Sequence, residues 1–276
     1  MTRDALLDRR WRDRPSARAL LLTLLGEFVA PEDRLVPTRT FVAALGLLGV
    51  GESNARQALT RSAAGGWLES RRAGREVSWR LSRETRRVLR TGAERIYGFG
   101  NGSQGEDAVW TLLHVEAAAT DPPARHRLET RLAWAGFGSV DRSLWLSPDA
   151  RRAREASQVL ADLGLAGASA ALEGKPSPLA DLVPLVERAW DLDAIADRYV
   201  EFLDGFRNRR PRSPAASFAE LTRLVHEWRS FPLLDPQLPA AYLPGSWPGR
   251  QAARRFRELR QRWAPAAGDW WRRALP

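Results

Sequence analysis

The sequence contains no cysteine and only one lysine, Lys175, among its 276 residues. The absence of cysteine excludes disulfide frameworks, thiolate metal sites, iron–sulfur clusters and cysteine nucleophiles. Long apolar runs are also missing. The longest stretch without Asp, Glu, Lys or Arg, residues 236–249, is broken by prolines, whereas a membrane-spanning helix needs about 20 apolar residues. The sequence therefore predicts no transmembrane helix, while its hydrophobic content of 44% is sufficient for folded domains.

Positive charge is in excess and is unevenly distributed. The chain has 43 Lys and Arg against 33 Asp and Glu, a net charge of +10. Residues 1–100 carry +8, residues 101–240 carry −4 and residues 241–276 carry +6. This pattern favours a polyanion-binding head on a body with another task, although a bias towards arginine in the genome would produce the same excess. The N-terminus mixes both charge signs and lacks the apolar core of a secretory signal, so we expect a cytoplasmic protein.

The first part of the chain predicts a winged helix-turn-helix fold. Apolar residues recur at the spacing of a helix face after Ser16, which is placed to cap a first helix. A second helix begins at Thr38, which can cap it, and a third begins at Ser53. Residues 67–81 alternate between apolar and polar around a glycine turn, as a β-hairpin does. Three helices followed by a hairpin are typical of a winged helix.

The third helix and the hairpin present side chains that suit DNA. The recognition helix of such a fold lies in the major groove, where Asn and Gln pair with adenine, Arg pairs with guanine, and Ser or Thr contacts bases or phosphates. Arginines near the hairpin tip suit phosphates or a narrow minor groove. A solvated surface or a protein-interaction module would carry similar residues. The predicted DNA-binding residues are Ser53, Asn54, Arg56, Gln57, Thr60, Arg61, Arg71, Arg72 and Arg75.

A linking helix is predicted after the hairpin, from Ser82 to Tyr97. Its predicted apolar side contains Val88, Leu89, Ala93 and Ile96. The glycines of residues 100–105 match the dinucleotide fingerprint GxGxxG, but they follow a helix and precede a strand, which reverses the required order. We therefore interpret this segment as a linker.

The middle of the chain predicts a ferredoxin-like α/β domain. Strand-like segments near 109–115 and 137–146 alternate with helical segments near 124–135 and 151–163, and there is room for further strands. Two arginines open the first of these helices after a pair of prolines. A helix N-terminus with nearby arginines can hold an anion, although a solvated face carries the same residues more often.

From Leu182 onward the sequence is mainly helical. A stripe of aromatic and apolar residues extends from Trp190 to Phe206, and the last predicted helix, residues 251–263, is rich in arginine. The stripe indicates a core more than a ligand cage, although an aryl pocket would use the same residues.

No motif of a known catalytic class is present. The three histidines lack the HExxH spacing, and there is neither a Walker A motif nor a GxSxG motif. Glu116 and Asp121 could resemble a metal-dependent nuclease site, but two carboxylates in a loop are usually solvated. The sequence therefore does not demand an enzyme, a cofactor or a metal.

Several motifs together resemble one family. They are Pro-Ser-Ala-Arg at 15–18, Ala-Arg-Gln-Ala-Leu-Thr-Arg at 55–61, Gly-Trp-Leu at 66–68, Glu-Arg-Ile-Tyr-Gly-Phe-Gly at 94–100, Leu-Glu-Thr-Arg-Leu-Ala-Trp-Ala-Gly-Phe-Gly at 128–138, Leu-Trp-Leu-Ser-Pro at 144–148, Phe-Pro-Leu-Leu-Asp-Pro at 231–236 and Leu-Pro-Gly-Ser-Trp-Pro-Gly at 243–249. Over nearly the whole chain, this combination is similar to the PaaX family of transcriptional repressors.

The resemblance implies an α+β multidomain protein. It implies a winged helix DNA-binding domain with its linking helix at residues 1–98, a central ferredoxin-like (Cas2-like) domain at 99–180 and a helical C-terminal domain at 181–276. It further implies a homodimer, associated with the nucleoid, that binds a palindromic operator on double-stranded DNA. Such a protein would repress an aromatic-acid pathway of the phenylacetate type, and phenylacetyl-CoA or another acyl-CoA would release it from DNA.

Such an effector needs arginines for its phosphates and apolar walls for its aryl group. The residues that suit it by type are Arg125, Arg127, Arg131, Trp134, Trp190 and Tyr199. The arginines of helix 254–262 beside the last two aromatic residues are a second choice. Rival interpretations of the whole protein are a Cas2-like metal-dependent nuclease, a non-catalytic protein-interaction module, and a repressor without a small-molecule ligand.

Overall fold

The computed structural model describes five stretches of the chain: residues 15–32, 34–100, 108–116, 121–179 and 181–275. The chain forms two compact units. The head unit contains the described residues of 15–99 together with Phe202–Arg229 and 251–275. The sheet unit contains the described residues of Gly100–Glu201 together with Ser230–Arg250. The region from 181 onward, predicted to be a helical domain, therefore contributes segments to both units.

The head unit begins with helices and a small antiparallel sheet. In chain order its first elements are α1 (Ala17–Leu24), a π-helical segment (Leu25–Val29), β1 (Val36–Pro37), α2 (Thr38–Gly46), α3 (Glu52–Ala64), β2 (Leu68–Ala73), β3 (Glu76–Leu81) and α4 (Arg83–Gly98). The sheet has the order β1-β3-β2. The sequence predicted the helices and the hairpin, but it predicted neither the π-helical segment nor β1.

The first helix starts where the sequence predicted. The Ser16 hydroxyl accepts a hydrogen bond from the Ala19 amide at 3.1 Å, which satisfies one of the donors that a helix N-terminus leaves unpaired. Leu21, Leu24 and Leu25, which the periodicity placed on the inner face, are fully buried. The local signal and the packing therefore agree for α1.

The second helix starts differently from the prediction. Pro37 occupies the N-cap position, and Thr38 is the first helical residue instead of the cap. The Thr38 hydroxyl donates to the Val77 carbonyl at 2.8 Å and accepts from the Trp79 indole nitrogen at 2.8 Å. Its side chain thus ties α2 to β3, because the sheet offers it two hydrogen-bond partners where capping offers one.

The linking helix α4 follows β3 after one residue, Ser82, whose side chain accepts from the Thr85 amide. The extent of the helix agrees with the prediction to within one residue at each end, and the cap was not predicted. The predicted apolar side is partly wrong, because Val88 is 60% exposed. Leu89, Ala93 and Ile96 are half-buried, so the contacting face of α4 is narrower than its sequence indicates.

The sheet unit contains a four-stranded antiparallel sheet. Its elements are β4 (Trp110–Val115), α5 (Pro122–Trp134), β5 (Gly138–Ser139), β6 (Leu144–Ser147), α6 (Ala153–Asp162) and β7 (Ser169–Gly174). The strand order is β5-β6-β4-β7, and every neighbouring pair is antiparallel. A β-α-β-β-α-β succession with this order is ferredoxin-like, as predicted. Leu113 and Val115 of β4 pack with Leu128 and Leu132 of α5 in its core.

The remaining helices lie in the C-terminal part of the chain. They are α7 (Val183–Ala189), α8 (Leu192–Gly205), α9 (Pro214–Trp228), α10 (Phe231–Leu234) and α11 (Gly249–Ala274). The predicted end of the last helix at Trp263 is wrong, because α11 continues through Pro265 to Ala274, about three turns further.

Aromatic side chains join α9 and the end of α11 to the first helices of the head unit. The ring of Phe28 lies 4.8 Å from that of Phe218 and 5.4 Å from that of Trp271, between centroids. The Thr40 hydroxyl donates to the Ala274 carbonyl at 2.6 Å. Large apolar rings dominate core energetics, and this burial holds the C-terminal end of α11 helical beyond its proline.

Candidate DNA-binding face

The helix α3 separates an apolar face from a polar one. Ala55, Ala58 and Leu59 are fully buried, as their spacing predicted. Contacts with α1 and α2 hold this inner face in place. The predicted contact residues on the other face are all exposed: Ser53, Asn54, Arg56, Gln57, Thr60 and Arg61. The helix therefore presents donors and acceptors along one exposed side.

Charge on this face is only partly compensated. The guanidinium of Arg56 pairs with the Glu52 carboxylate at 2.8 Å, one helical turn before it. Both side chains are more than half exposed, so the pair contributes little to stability and can be exchanged for another anion. Arg61 has no ion pair with any described residue. The hydroxyl of Thr60 donates to the Arg56 carbonyl at 3.1 Å, which leaves its oxygen able to accept.

The hairpin concentrates positive charge at its tip. Gly74 takes a φ of +59° in the turn, a conformation that glycine adopts without strain. Arg71, Arg72 and Arg75 surround this turn and are exposed. Of these three, only Arg72 donates a hydrogen bond to another described residue, from Nε to the Gly74 carbonyl at 3.2 Å.

The fourth arginine of the hairpin, Arg80, forms an ion pair, and so does Arg39 on α2. Arg80 pairs with Glu69 at 2.7 Å across the two strands, and Arg39 pairs with Glu76. Glu69 thus offsets Arg80 near the base of the hairpin, whereas Glu76, which directly follows the turn, is paired with Arg39 from outside the hairpin. Arg71, Arg72 and Arg75 therefore leave the tip with a net positive charge, which is the distribution that phosphate contacts require.

The sequence interpretation missed one arginine close to this face. Arg18 on α1 places its guanidinium carbon 4.7 Å from the ring centre of Trp67, directly before β2. This cation–π contact braces the junction between α3 and the hairpin. No periodicity connects residues 49 positions apart, so only the three-dimensional arrangement shows the pair.

The predicted effector residues fall into two groups. Arg125, Arg127, Arg131 and Trp134 all belong to α5. Arg125 pairs with Glu129 at 2.9 Å and is largely buried, Arg131 pairs with Asp162 of α6, and Trp134 is 46% exposed. Intramolecular carboxylates therefore already engage two of the three arginines.

The two other predicted effector residues lie in the core of the sheet unit. The indole of Trp190 covers Gly138 so closely that a Cβ there would lie 2.5 Å from it. The ring of Tyr199 stacks on Phe231 with centroids 4.2 Å apart, and its hydroxyl donates to Asp235 Oδ2 at 2.7 Å. Burial raises the pKa of both the Tyr199 hydroxyl and the Asp235 carboxyl. Both rings are therefore part of the hydrophobic core, which agrees with the interpretation of the aromatic stripe as core residues.

Comparison with known proteins decides the family. The models described as PaaX-like protein, PaaX protein central Cas2-like domain and PaaX-like protein C-terminal domain match residues 16–85, 103–183 and 190–273. The chain is 30% identical over 263 residues, 91% of its length and 82% of the relative, to the transcriptional repressor PaaX of Escherichia coli strain K12. The chain belongs to the PaaX family. The family resemblance expected from the motifs is thereby confirmed.

A solved structure shares the fold of this PaaX family chain. It is that of an uncharacterized protein from Mycobacterium tuberculosis, with a TM-score of 0.60 and 21% sequence identity, and the match covers 93% of this chain and 98% of that one. The central Cas2-like region of the PaaX family corresponds to the ferredoxin-like sheet of β4 to β7. The predicted α+β class with a Cas2-like centre and a helical C-terminal region is thus observed.

The carboxylates considered for a nuclease site are placed differently in this PaaX family member. Asp121 accepts a hydrogen bond from the Ala124 amide at 2.7 Å and so caps α5, while Glu116 follows β4 and is exposed. The described residues contain no group of three or more His, Asp or Glu side chains placed to hold a metal ion. In the same described stretches, no helix is long and apolar enough to cross a membrane. Apart from Gly100, the GxGxxG segment lies outside the described residues.

Proposed function

We propose that the protein is a sequence-specific, DNA-binding transcriptional repressor, with residues 15–98 acting as a winged helix. The observation that carries this proposal is the exposed polar face of α3 beside an arginine-tipped hairpin, in the succession of helices and strands that winged helices share. The family and the E. coli relative, whose name states repression, support the same role.

In this proposal α3 lies in the major groove. Arg56 and Arg61 donate to guanine O6 and N7, while Asn54 and Gln57 pair with adenine, because these side chains present the donor and acceptor pairs that such base edges require. The arginines at the hairpin tip contact phosphates or a narrow minor groove. They supply affinity and little sequence choice.

The proposal includes an assembly and an effector. We propose a homodimer on a palindromic operator, since two-fold symmetric proteins match two-fold symmetric sites. We further propose that it controls an aromatic-acid pathway of the phenylacetate type in the cytoplasm and that an aryl-CoA thioester releases it from DNA. An effector that binds the DNA-free form about 100-fold more tightly weakens operator binding by about 2.7 kcal/mol, which is enough to derepress a gene.

The first test is fluorescence anisotropy with DNA from upstream of the protein's own gene, with scrambled DNA as competitor. Arg56→Ala is expected to relax the base preference, by about 1–3 kcal/mol of discrimination at one position. Arg72→Ala is expected to weaken all sequences alike and to lower the salt slope by about 0.9. Arg142→Ala, in an exposed loop of the sheet unit, is the matched control.

The same titration separates the alternatives. Selective binding that phenylacetyl-CoA reverses supports the full proposal, and selective binding that is indifferent to it supports a repressor with another effector or none. Wild-type affinity and salt dependence in both arginine variants would refute this contact surface. Metal-dependent cleavage of the labelled duplex would favour the nuclease.

A further inference from the structure

A cleft of about 380 Å³ lies within the head unit, beside the proposed winged helix. One face of α4 and the π-helical segment form its sides, and Arg260 of α11 reaches into it. Small-molecule sites in proteins usually start at about 300 Å³, so the cleft is large enough for a small organic molecule.

The base of the cleft is a fixed arrangement of three side chains. The Glu27 carboxylate is 5% exposed and accepts hydrogen bonds from the Tyr97 hydroxyl and, at 3.0 Å, from the Arg260 guanidinium. The carbon of that guanidinium lies 4.1 Å from the centre of the Tyr97 ring. Burial, together with the charge of Glu27, raises the pKa of the Tyr97 hydroxyl, so the phenol keeps its proton. The charge of Glu27 is therefore balanced inside the protein.

The sides of the cleft combine apolar surface with positive charge. Leu89 and Ala93 of α4 line it together with Ala30, and Arg90 is a further lining residue. Arg90 is exposed and has no ion pair with a described residue. The cleft also contains Arg86 and one other carboxylate, that of Glu94, which is exposed. With three arginines against two carboxylates, its charge balance favours an anion.

We propose that this cleft binds a small organic anion with an apolar body and that its occupancy controls the affinity for DNA. This inference rests on the proposed function as a DNA-binding regulator. Arg90 would hold the anionic or carbonyl oxygen, while Leu89 and Ala93 would cover the apolar body. The volume admits an aryl carboxylate as a whole but only the acyl end of a coenzyme A thioester. Both molecules present the cleft with an aryl group and a nearby acyl oxygen, and only the carboxylate carries a negative charge on that oxygen.

The position of the cleft explains how binding would reach DNA. The helix α4 follows the hairpin strand β3 after one residue, and the π-helical segment continues α1, which packs on α3. A molecule that contacts both α4 and the π-helical segment favours one relative position of the hairpin and the helix α3. A ligand that binds the DNA-free arrangement more tightly than the DNA-bound one lowers the affinity for DNA. Bound DNA lowers the affinity for that ligand by the same factor.

Calorimetric titration of the DNA-free protein tests the cleft. Phenylacetate, phenylacetyl-CoA and coenzyme A alone are the three probes. Arg90→Ala is expected to weaken binding about tenfold or more, as the loss of a charge-assisted hydrogen bond does, and Ala93→Phe is expected to block the cleft. Arg87→Ala, exposed on the same helix and outside the cleft, is the matched control and is expected to bind as the wild type does.

The results of this titration show whether the cleft binds the ligand. The proposal is supported if either phenylacetyl probe binds the wild type, both cleft variants bind it more weakly, and the control variant binds it as the wild type does. The probe that binds then identifies the form of the ligand. Failure of all probes to bind, equal binding of coenzyme A alone, or unchanged binding in both cleft variants overturns it. Operator affinity of the same variants without probe is measured in parallel, so failure of the cleft is distinguishable from failure of DNA binding.

Discussion

Acidification should destabilise the head unit through one buried histidine. The His226 ring lies 3.0 Å, at Nδ1, from the Thr23 hydroxyl, which donates to the Ala19 carbonyl at 3.2 Å and so accepts from the ring. Burial, with a smaller contribution from Arg229, lowers the pKa of His226 to about 3. In the unfolded chain the pKa of a histidine is about 6.5. Between these values the unfolded chain binds a proton that the folded chain does not.

The sign and the size of the effect follow from this difference. Stability is complete above pH 6.5 and falls as the pH decreases, by about 1.4 kcal/mol per pH unit, because protonation favours the unfolded chain. The loss reaches about 2 kcal/mol at pH 5. Urea unfolding followed by tryptophan fluorescence at several pH values measures it. His226→Asn retains a donor near the Nδ1 position and is expected to remove most of the slope.

The control for this prediction is His126→Asn, a substitution of an exposed histidine on α5. It should leave the pH dependence unchanged. If the His226→Asn protein and the wild type lose the same stability between pH 7 and pH 5, the buried ring does not determine the acid sensitivity and the reasoning is refuted.

Three further predictions concern the sheet unit, each measured by urea unfolding. Gly138→Ala should cost about 1–3 kcal/mol, because the new Cβ would lie 2.5 Å from the Trp190 ring, whereas Gly174→Ala, with open space around it, should be nearly neutral. Tyr199→Phe should cost about 1–3 kcal/mol, because it removes a donor from the buried Asp235 carboxyl, and an unchanged unfolding midpoint would contradict this. Since burial raises the pKa of Asp235, stability linked to it is lost as the pH rises, so Asp235→Asn should gain on the wild type between pH 4 and pH 7; parallel curves would refute the assignment.

The sequence predicted best what is decided within one helical turn or one hairpin. The face of α3 follows from a spacing of three and four between Ala55, Ala58 and Leu59, and the cap of α1 follows from Ser16. Both depend on contacts within a few residues. The exposed set of predicted DNA contacts is simply the complement of that apolar spacing, so it could be located without knowledge of the fold.

Predictions failed where distant segments decide the outcome. Pro265 is a reasonable stop signal, because proline removes a helical hydrogen bond. The helix nevertheless continues, since Trp271 packs against Phe28 and the Ala274 carbonyl has a partner on α2. Similarly, the cleft depends on side chains 70 and 233 residues from Glu27, and no local pattern connects them.

The strand order of the head sheet has a consequence for solubility. Because β1 and β2 flank β3, no strand of the described residues pairs with the outer side of β2, and the backbone groups of such an edge can pair with an edge of another molecule. Glu69, Arg71 and Arg72 lie on this strand, and charged side chains on an edge strand discourage such edge-to-edge association. The arginines proposed to contact phosphates therefore also protect the free protein from aggregation. Replacing all of them with large apolar residues would confuse a loss of DNA affinity with a loss of monodisperse protein, whereas the single substitution Arg72→Ala leaves Glu69 and Arg71 on the edge.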